Sequence, residues 1–309
     1  MTLGARRFRP RRTVLAVPGS SERFIAKARG VEADCIFLDL EDAVAPAEKQ
    51  AARATIAAAL NSPQGWRPGT VTVRVNDWTT PWTTQDVWQV VSAAGAHVDA
   101  LVLPKVTGAD QVRALDLVLT QAEQEAGLPV GRIGIEVQIE DAQGLLHAAE
   151  IAAASPRNES LVFGPGDYMA SMGMAGLTVG AGIEGYPGDH FHHVLSTILV
   201  AARAHGLQAI DGPWVTIKDI EGFRASAARA AALGYDGKWV IHPTQIEAGN
   251  QVFTPAEATL ARARRIVAEY AEATERAHGA VGAIVVDGEM VDEAGVKLAR
   301  TLLARAGGN

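Results

Sequence analysis

The sequence predicts a closed (β/α)8 barrel, the TIM-barrel fold, with a C-terminal helical extension. Short apolar runs rich in Val, Ile and Leu occur eight times, and alanine-rich amphipathic segments separate them. This alternation is typical of parallel strands covered by helices. Eight units favour a closed barrel over an open doubly wound sheet, which usually has fewer strands. The predicted strands are residues 13–17, 35–38, 71–75, 100–103, 133–139, 161–163, 209–210 and 239–241.

The first βαβ unit, residues 14–44, has polar residues at the end of each strand. Its first strand ends in Pro-Gly-Ser at residues 18–20, a helical segment follows, and the second strand continues into Asp39 and Glu41. The carboxyl-terminal ends of parallel strands meet on one face of a barrel, which we call the mouth. We therefore expect the chemistry of this protein at the mouth.

The barrel is predicted to form one domain over residues 1–248, which includes a short basic N-terminal arm. The extension is predicted over residues 249–309. The helical patterns of the barrel are residues 46–60, 85–94, 109–126, 144–153, 193–205 and 221–233.

The extension has its own start and stop signals. Residues 254–257, Thr-Pro-Ala-Glu, predict a Thr-capped helix with Pro at its first position, and this helix extends to about His278. Residues 283–286 predict a strand, residues 287–288 a turn, and the last helix is predicted to begin near Asp292. We expect the extension to pack on the barrel or on a neighbouring subunit.

The composition favours small-molecule chemistry. The chain of 309 residues has a net charge of −7 and a pI near 5.6, so attraction to nucleic acid or to an anionic membrane is not expected. No window reaches the roughly 18–20 apolar residues that a membrane helix needs. Cys35, the single cysteine, lies in an apolar strand and cannot form an internal disulfide, which favours a cytoplasmic location.

The N-terminal arm is rich in arginine. The apolar run after it is too short for a signal sequence. We expect the arm to be solvated, and a contribution to binding an anionic ligand is the alternative. Its arginines are Arg6, Arg7, Arg9, Arg11 and Arg12.

Ionisable residues follow seven of the eight predicted strands. Glu140 and Asp167 follow the neighbouring fifth and sixth strands, where Gly164 and Gly166 are expected to let the backbone approach closely. Two hard carboxylates with no Cys or regularly spaced His nearby suit Mg²⁺, with Mn²⁺ as the alternative ion. Such an ion takes a few protein oxygens and leaves the other positions to water and substrate. The alternative is that each carboxylate pairs with a local Arg or Lys.

Arg74 lies at the end of the predicted third strand and points toward the same mouth. A guanidinium group can bind a substrate carboxylate through two parallel hydrogen bonds. A structural ion pair with Glu41 or Asp42 is the alternative. Both are compatible, because acidic residues can orient an arginine that also contacts substrate.

Nine segments of the chain resemble those of a known family and occur in the same order. They are LAVPGSSERFIAKA, FLDLEDAVAP, VRVN, LPKV, the IED that contains Glu140, EIAAASPRNESLVFGPGDYMASMGM, IDGPW, GKWVIHPTQIEAGNQVFTP and DGEMVDEA. Together they extend from about Arg12 to Ala304. The chain resembles the citrate lyase β-subunit-like (HpcH/HpaI aldolase/citrate lyase) family, and most closely its malyl-CoA lyase and citramalyl-CoA lyase branch.

The resemblance implies a Mg²⁺-dependent lyase that cleaves a carbon–carbon bond of an acyl-CoA. Its substrate would be a 3-hydroxyacyl-CoA such as malyl-CoA, β-methylmalyl-CoA or citramalyl-CoA. The products of this reversible reaction would be acetyl-CoA or propionyl-CoA plus glyoxylate or pyruvate. The resemblance also implies a homotrimer or homohexamer. A CoA-independent pyruvate aldolase of the same superfamily and a non-catalytic acyl-CoA-binding protein are the alternative functions.

The resemblance implies a role for each matching residue at the mouth. Glu140 and Asp167 correspond to the Mg²⁺ ligands. Arg74 corresponds to the group that binds the substrate carboxylate or carbonyl. Glu41 and Asp42 correspond to side chains that support Arg74 and the metal-bound water.

The resemblance also implies an acid from a neighbouring subunit and residues that bind CoA. Asp292 corresponds to an acid that a neighbouring subunit supplies, although its position also predicts a helix cap. Close relatives have an arginine for the CoA phosphates directly after Pro-Gly-Ser, where this chain has Ser21. Arg23, Lys27 or the N-terminal arginines are therefore expected to replace it. The residues predicted to bind substrate or CoA are Ser20, Arg23, Lys27, Arg74 and Lys105.

Overall fold

Eight parallel strands close into a barrel in the computed structural model, which describes residues 8–183, 185–279 and 281–307. Neighbours along the chain pair with each other, and the last strand closes on the first with Val14 opposite Trp239. The prediction of a (β/α)8 barrel is confirmed. The strands are β1 (Thr13–Pro18), β2 (Cys35–Asp39), β3 (Thr70–Arg74), β4 (Ala100–Leu103), β5 (Gly134–Ile139), β6 (Asn158–Phe163), β7 (Gln208–Asp211) and β8 (Gly237–Val240).

At least one helix follows each strand and covers the outside of the barrel. Gly234 is the C-cap that follows the ninth helix, and its φ of 114° is a left-handed conformation that glycine adopts without a Cβ clash. The helices are α1 (Glu22–Ala28), α2 (Lys49–Leu60), α3 (Thr83–Ala94), α4 (Ala109–Glu125), α5 (Ala142–Leu146), α6 (Ala148–Ala153), α7 (Pro165–Ser171), α8 (His192–Ala204), α9 (Ile220–Leu233) and α10 (Ile246–Phe253).

The core has two layers because the strands are buried on both faces. The larger layer lies between the strands and the helices. The smaller layer fills the barrel interior, where the Phe37 and Trp239 rings lie 4.4 Å apart. Cys35 belongs to this interior layer and is buried, as predicted. The interior residues are Val14, Cys35, Phe37, Val102, Val162, Ile210 and Trp239.

The described part of the basic N-terminal arm is not solvated, so that prediction is wrong. Arg11 is 1% exposed; its Nε donates to Glu136 Oε1 at 2.9 Å, and its Nη2 lies 2.5 Å from Glu159 Oε2. Arg9 pairs with Asp99 at 2.8 Å. The arm precedes β1, so these arginines meet carboxylates at the amino-terminal ends of the strands.

This position also separates the arm from the mouth. Arg12 pairs with Asp34 at 2.7 Å at the amino-terminal end of the barrel, as Arg9 and Arg11 do with their partners. These three arginines therefore cannot replace the missing arginine at position 21, which lies at the opposite end. Arg6 and Arg7 lie outside the described residues.

The chain divides into two compact units between Phe253 and Thr254. The second unit contains α11 (Glu257–Arg276), β9 (Ala283–Val286), β10 (Glu289–Asp292) and α12 (Glu293–Gly307), with β9 and β10 forming an antiparallel hairpin. Within the described residues, none of the helices combines the length and the apolar character needed to cross a membrane.

The predicted Thr254 cap of the first extension helix is wrong. Ala256 is the N-cap residue and has an extended backbone, with φ −60° and ψ 142°. Pro255 therefore precedes the helix and does not occupy its first position.

Replacement of Arg11 by Met is expected to lower the free energy of unfolding by about 3–5 kcal/mol, because it leaves buried carboxylates without their counter-charge. Urea denaturation followed by circular dichroism measures the change. Arg67→Met is the control: the Arg67 and Glu32 side chains are 59% and 64% exposed, and loss of this surface ion pair should cost at most about 1 kcal/mol. Equal losses in the two variants would contradict the assignment.

Candidate active site

The mouth brings together charged side chains from five consecutive strand ends. Asp39 and Arg74 are the last residues of β2 and β3, and they lie opposite each other in the strand register. The other charged residues of this group follow the strands directly or within a few positions. They are Glu41 and Asp42 after β2, Lys105 after β4, Glu140 after β5 and Asp167 in the first turn of α7 after β6.

Glu140 is a buried carboxylate with two fixed hydrogen-bond donors. It is 2% exposed, and its Oε1 and Oε2 accept hydrogen bonds of 2.6 Å from the Lys105 backbone N–H and from Gln138 Nε2. Burial, followed by the charge of Glu41, raises the pKa of Glu140 to about 8, and Asp167 contributes in the same direction. A cation at this position would compensate the clustered negative charge.

Gly164 provides the space that the Glu140 side chain occupies. A Cβ atom at position 164 would lie 2.5 Å from Glu140 Cβ and would also overlap its carboxylate. The predicted close approach is therefore confirmed at Gly164. It is wrong at Gly166, where a Cβ atom would meet only Val179 Cγ2, at the ordinary contact distance of 3.7 Å.

Asp167 completes a pair of carboxylates suited to a divalent cation. It is exposed, and within the described residues nothing forms a hydrogen bond or ion pair with its carboxylate. Neither Asp167 nor Glu140 pairs with an Arg or Lys side chain in the described part of the chain, which contradicts that alternative. The same residues contain no group of three or more His, Cys, Asp or Glu positioned for a metal. The pair fits Mg²⁺ or Mn²⁺, which can take further ligands from water and substrate.

Arg74 is oriented mainly by Asp39. Its Nε and Nη2 each donate to an Asp39 oxygen at 2.7 Å, and its Nη1 lies 3.0 Å from Glu41 Oε2. A guanidinium has five N–H groups, so two remain for a ligand. Its Cζ lies 5.4 Å from the Phe37 ring centroid and 5.6 Å from that of Trp239. These rings lie on the barrel side of the guanidinium.

Arg74 remains charged at the mouth, as arginine side chains do in proteins. Burial lowers the pKa of Arg74, but Asp39 and Glu41 raise it overall above its ordinary value. The alternative of an ion pair with Glu41 is confirmed, and Asp39 is an additional partner. Asp42 instead accepts from Lys105 Nζ at 3.1 Å.

Glu41 lies between two cationic side chains. It is 3% exposed, and its two oxygens contact Arg74 Nη1 and Lys105 Nζ. Burial raises the pKa of Glu41 despite the opposing effect of these two cations. Glu41 therefore joins Arg74 and Lys105 in one network of alternating charges.

The residues predicted for CoA lie on or beside α1. Ser20, Arg23 and Lys27 are exposed, and Arg23 Cζ lies 4.8 Å from the Phe24 ring centroid. Ser21, which stands where an arginine was expected, is the N-cap of α1 and accepts a 3.3 Å hydrogen bond from Phe24 N–H. A serine at this position therefore stabilises the start of the helix.

Asp292 lies in the second unit, at the junction of β10 and α12. Its side chain is exposed, and Oδ1 accepts a 3.1 Å hydrogen bond from the Gly295 backbone N–H. This is the hydrogen bond of a helix cap. The role of Asp292 as an acid remains a prediction.

Two residues of the site were given no individual role by the sequence, although Asp39 was expected at the mouth. Asp39 is the main partner of Arg74, and Gln138 donates to Glu140. Both could have been found from strand geometry. Asp39 ends the strand beside Arg74, and Gln138 precedes Glu140 by two positions, which places both side chains on one face of the strand.

The chain belongs to the HpcH/HpaI aldolase/citrate lyase family, whose model matches residues 12–243. The match extends from the start of β1 into the loop after β8. It therefore includes the five strand ends that supply the charged residues of the mouth.

Individual relatives match almost the whole chain. An L-malyl-CoA/beta-methylmalyl-CoA lyase from Cereibacter sphaeroides is 39% identical over 96% of this chain and 95% of that protein. A (3S)-malyl-CoA thioesterase from the same species is 40% identical over 96% of this chain and 95% of its own length. The crystal structure of CitE from Mycobacterium tuberculosis with magnesium, acetoacetate and coenzyme A is 32% identical, covers 96% of this chain and 97% of its own, and has a TM-score of 0.72.

Gly164→Ala is expected to weaken Mg²⁺ binding roughly tenfold or more, because the added methyl group displaces the buried Glu140 carboxylate. Isothermal titration calorimetry of metal-free protein with Mg²⁺ measures this affinity. Gly166→Ala adds the same methyl group one residue before Asp167 without a clash, so it should leave the affinity nearly unchanged. A larger effect at Gly166 than at Gly164 would contradict the assignment of Glu140.

Proposed function

We propose that this protein is a Mg²⁺-dependent acyl-CoA lyase that cleaves malyl-CoA or a methylated homologue to acetyl-CoA or propionyl-CoA plus a 2-oxo acid. The observation that carries the proposal is the arrangement at the mouth. A buried carboxylate, Glu140, lies in the same charged group as Arg74 and Asp167, whose carboxylate has no ion-pair partner among the described residues. The malyl-CoA lyase relatives and the CitE complex with magnesium and coenzyme A support the substrate class and the cofactor.

Glu140 and Asp167 would hold the metal ion in this proposal. Bound Mg²⁺ supplies Lewis-acid polarisation of the substrate hydroxyl and carboxylate oxygens. Gln138 and the Lys105 backbone N–H keep the Glu140 carboxylate in one orientation. Arg74 contributes its two remaining N–H groups to the carboxylate of the 2-oxo acid, and its positive charge stabilises that anion.

The proposed reaction breaks one carbon–carbon bond of the 3-hydroxyacyl-CoA. The substrate hydroxyl gives its proton to solvent, the bond between the hydroxyl carbon and the neighbouring α-carbon of the thioester breaks, and the hydroxyl carbon becomes the carbonyl of the 2-oxo acid. The electron pair passes to the thioester as an enolate, which then takes one proton. The reverse reaction removes that proton from acetyl-CoA and forms the same bond.

Asp292 from a neighbouring subunit is the proposed acid for the enolate and the base in the reverse direction. Its exposure and the resemblance of the EMVDEA segment to the family support this role. The proposal requires an oligomer, a homotrimer or homohexamer, in which the second unit of one chain covers the mouth of another.

The CoA portion is proposed to bind on the side of α1, where Ser20, Arg23 and Lys27 are exposed. Neither cationic side chain has a carboxylate partner within the described residues, so both are available to phosphate groups. A cytoplasmic location is part of the proposal, and the single, buried Cys35 supports it.

Hydrolysis of the malyl-CoA thioester is a second candidate function, because the thioesterase relative is as similar as the lyases. The products distinguish the two. A lyase converts malyl-CoA to acetyl-CoA and glyoxylate, whereas a thioesterase converts it to malate and free CoA.

Glu140→Gln and Asp167→Asn are expected to lower kcat/KM for malyl-CoA cleavage at least ~100-fold, because each removes a proposed metal ligand. Mass spectrometry of the products, with and without Mg²⁺, measures the reaction. Glu150→Gln is the control: Glu150 is exposed on α6 and contacts no residue of the site, so this variant should retain full activity.

Retention of malyl-CoA and citramalyl-CoA cleavage in both ligand variants would contradict the proposal. Turnover of free 4-hydroxy-2-oxo acids without any turnover of CoA thioesters would instead favour the CoA-independent aldolase. Binding of acyl-CoA without Mg²⁺-dependent turnover would favour the non-catalytic alternative.

A further inference from the structure

Lys105 has a backbone conformation that a lysine rarely adopts. Its φ is 51°, in the left-handed region, and in the described residues only His278 and Asp287 share this property among non-glycine residues. Those two lie in turns of the second unit, whereas Lys105 lies directly at the mouth. A strained backbone that persists beside a functional site is maintained by the interactions around it.

The backbone N–H of Lys105 points at the proposed metal ligand. This N–H donates to Glu140 Oε1 at 2.6 Å, opposite the Gln138 amide that donates to Oε2. The Glu140 carboxylate is thus fixed from two sides, and it occupies the space that Gly164 leaves free by having no side chain. A residue that disfavours this φ would have to change the neighbouring backbone torsions between β4 and α4, including those of Pro104, and the N–H would move with its peptide plane.

The side chain of the same residue extends to the acidic residues after β2. Lys105 Nζ contacts Glu41 Oε1 and lies 3.1 Å from Asp42 Oδ1, and the side chain is 32% exposed. The second oxygen of Glu41 contacts Arg74. Lys105 therefore makes two contacts. Its backbone N–H contacts Glu140, the proposed metal ligand, and its ammonium group contacts Glu41, which in turn contacts Arg74.

We propose that Lys105 is a positioning residue with two separable roles: its backbone orients Glu140 for the metal ion, and its ammonium group orients Arg74 through Glu41. This inference rests on the proposed function, because it assigns Glu140 to the metal and Arg74 to the 2-oxo acid. It differs from direct substrate binding by Lys105, the role that the sequence predicts.

The positive charge of Lys105 acts on Arg74 through Glu41. With Lys105 present, the Glu41 carboxylate is shared between two cations. Without the ammonium group, the full negative charge of Glu41 would act on Arg74 and would also repel an incoming 2-oxo acid anion. Loss of the ammonium group should therefore weaken 2-oxo acid binding while the metal ion is retained.

Two uncharged variants separate the roles. Asn adopts the left-handed conformation readily, whereas the β-branched Val does not. Lys105→Asn should raise the KM for glyoxylate in the condensation with acetyl-CoA roughly tenfold and leave the calorimetric Mg²⁺ dissociation constant within about twofold of the wild type. Lys105→Val should show the same rise in KM and, in addition, a roughly tenfold weaker Mg²⁺ affinity. Lys105→Arg should restore most of the KM.

A double mutant distinguishes positioning from direct contact. If Lys105 acts through Glu41, adding Lys105→Asn to a Glu41→Gln background should change the glyoxylate KM by less than about threefold. If Lys105 contacts glyoxylate itself, the factor of about ten should persist in that background, and the proposal would be overturned. Arg67→Asn, at an exposed arginine in the loop before β3 at the opposite end of the barrel, controls for loss of positive charge and should change neither quantity.

The outcomes also separate this inference from the proposed function. Equal Mg²⁺ affinities in the Asn and Val variants overturn the backbone role, provided that Glu140→Gln weakens Mg²⁺ binding in the same assay. If Glu140→Gln itself leaves Mg²⁺ binding intact, the assignment of the metal site fails instead. Thermal denaturation monitors folding, and if the Val variant is unfolded, the comparison of Asn, Arg and wild type still tests the role of the ammonium group.

Discussion

The need to pair buried charges organises the mouth of this barrel. A buried ion without a partner is strongly unfavourable, so each charge brought into the protein requires another of opposite sign. Asp39, Arg74, Glu41 and Lys105 satisfy this requirement as a row of alternating charges. Glu140 lies beside this row and has only neutral hydrogen-bond donors. Glu140 and Asp167 have no cationic side chain as a partner within the described residues, and this is the physical basis for cation binding, because a bound cation favours the charged form of both carboxylates.

Buried charges are paired at both ends of the barrel, but only the mouth keeps groups available for a ligand. At the amino-terminal end, Arg11 is buried between Glu136 and Glu159, so these buried charges compensate each other. The mouth differs because Asp167 is exposed and unpaired within the described residues, and Arg74 retains two N–H groups. The apolar layer around Phe37 and Trp239 separates these two polar regions. Chemistry is therefore confined to one end.

The sequence predicted which residues lie at the strand ends, but it predicted few of the ion pairs that charged residues form. Glu140, Asp167 and Arg74 directly follow or end apolar runs, and the parallel arrangement brings such positions to one face. The arginines of the N-terminal arm were predicted to be solvated because five closely spaced cations usually are. The burial of Arg11 and the partial burial of Arg9 depend on Glu136, Asp99 and Glu159, which are remote in the chain and become neighbours only when the barrel closes.

The sequence by itself determined the barrel, the order of its strands and the residue types at the mouth, because hydrophobic periodicity and strand ends are local properties of the chain. Only the tertiary structure decided which of those charges pair. Asp39 became the main partner of Arg74 through strand register, and Lys105 reached both Glu140 and Glu41 through a left-handed backbone. These contacts depend on distances between different strands, and residue spacing along one strand does not specify them.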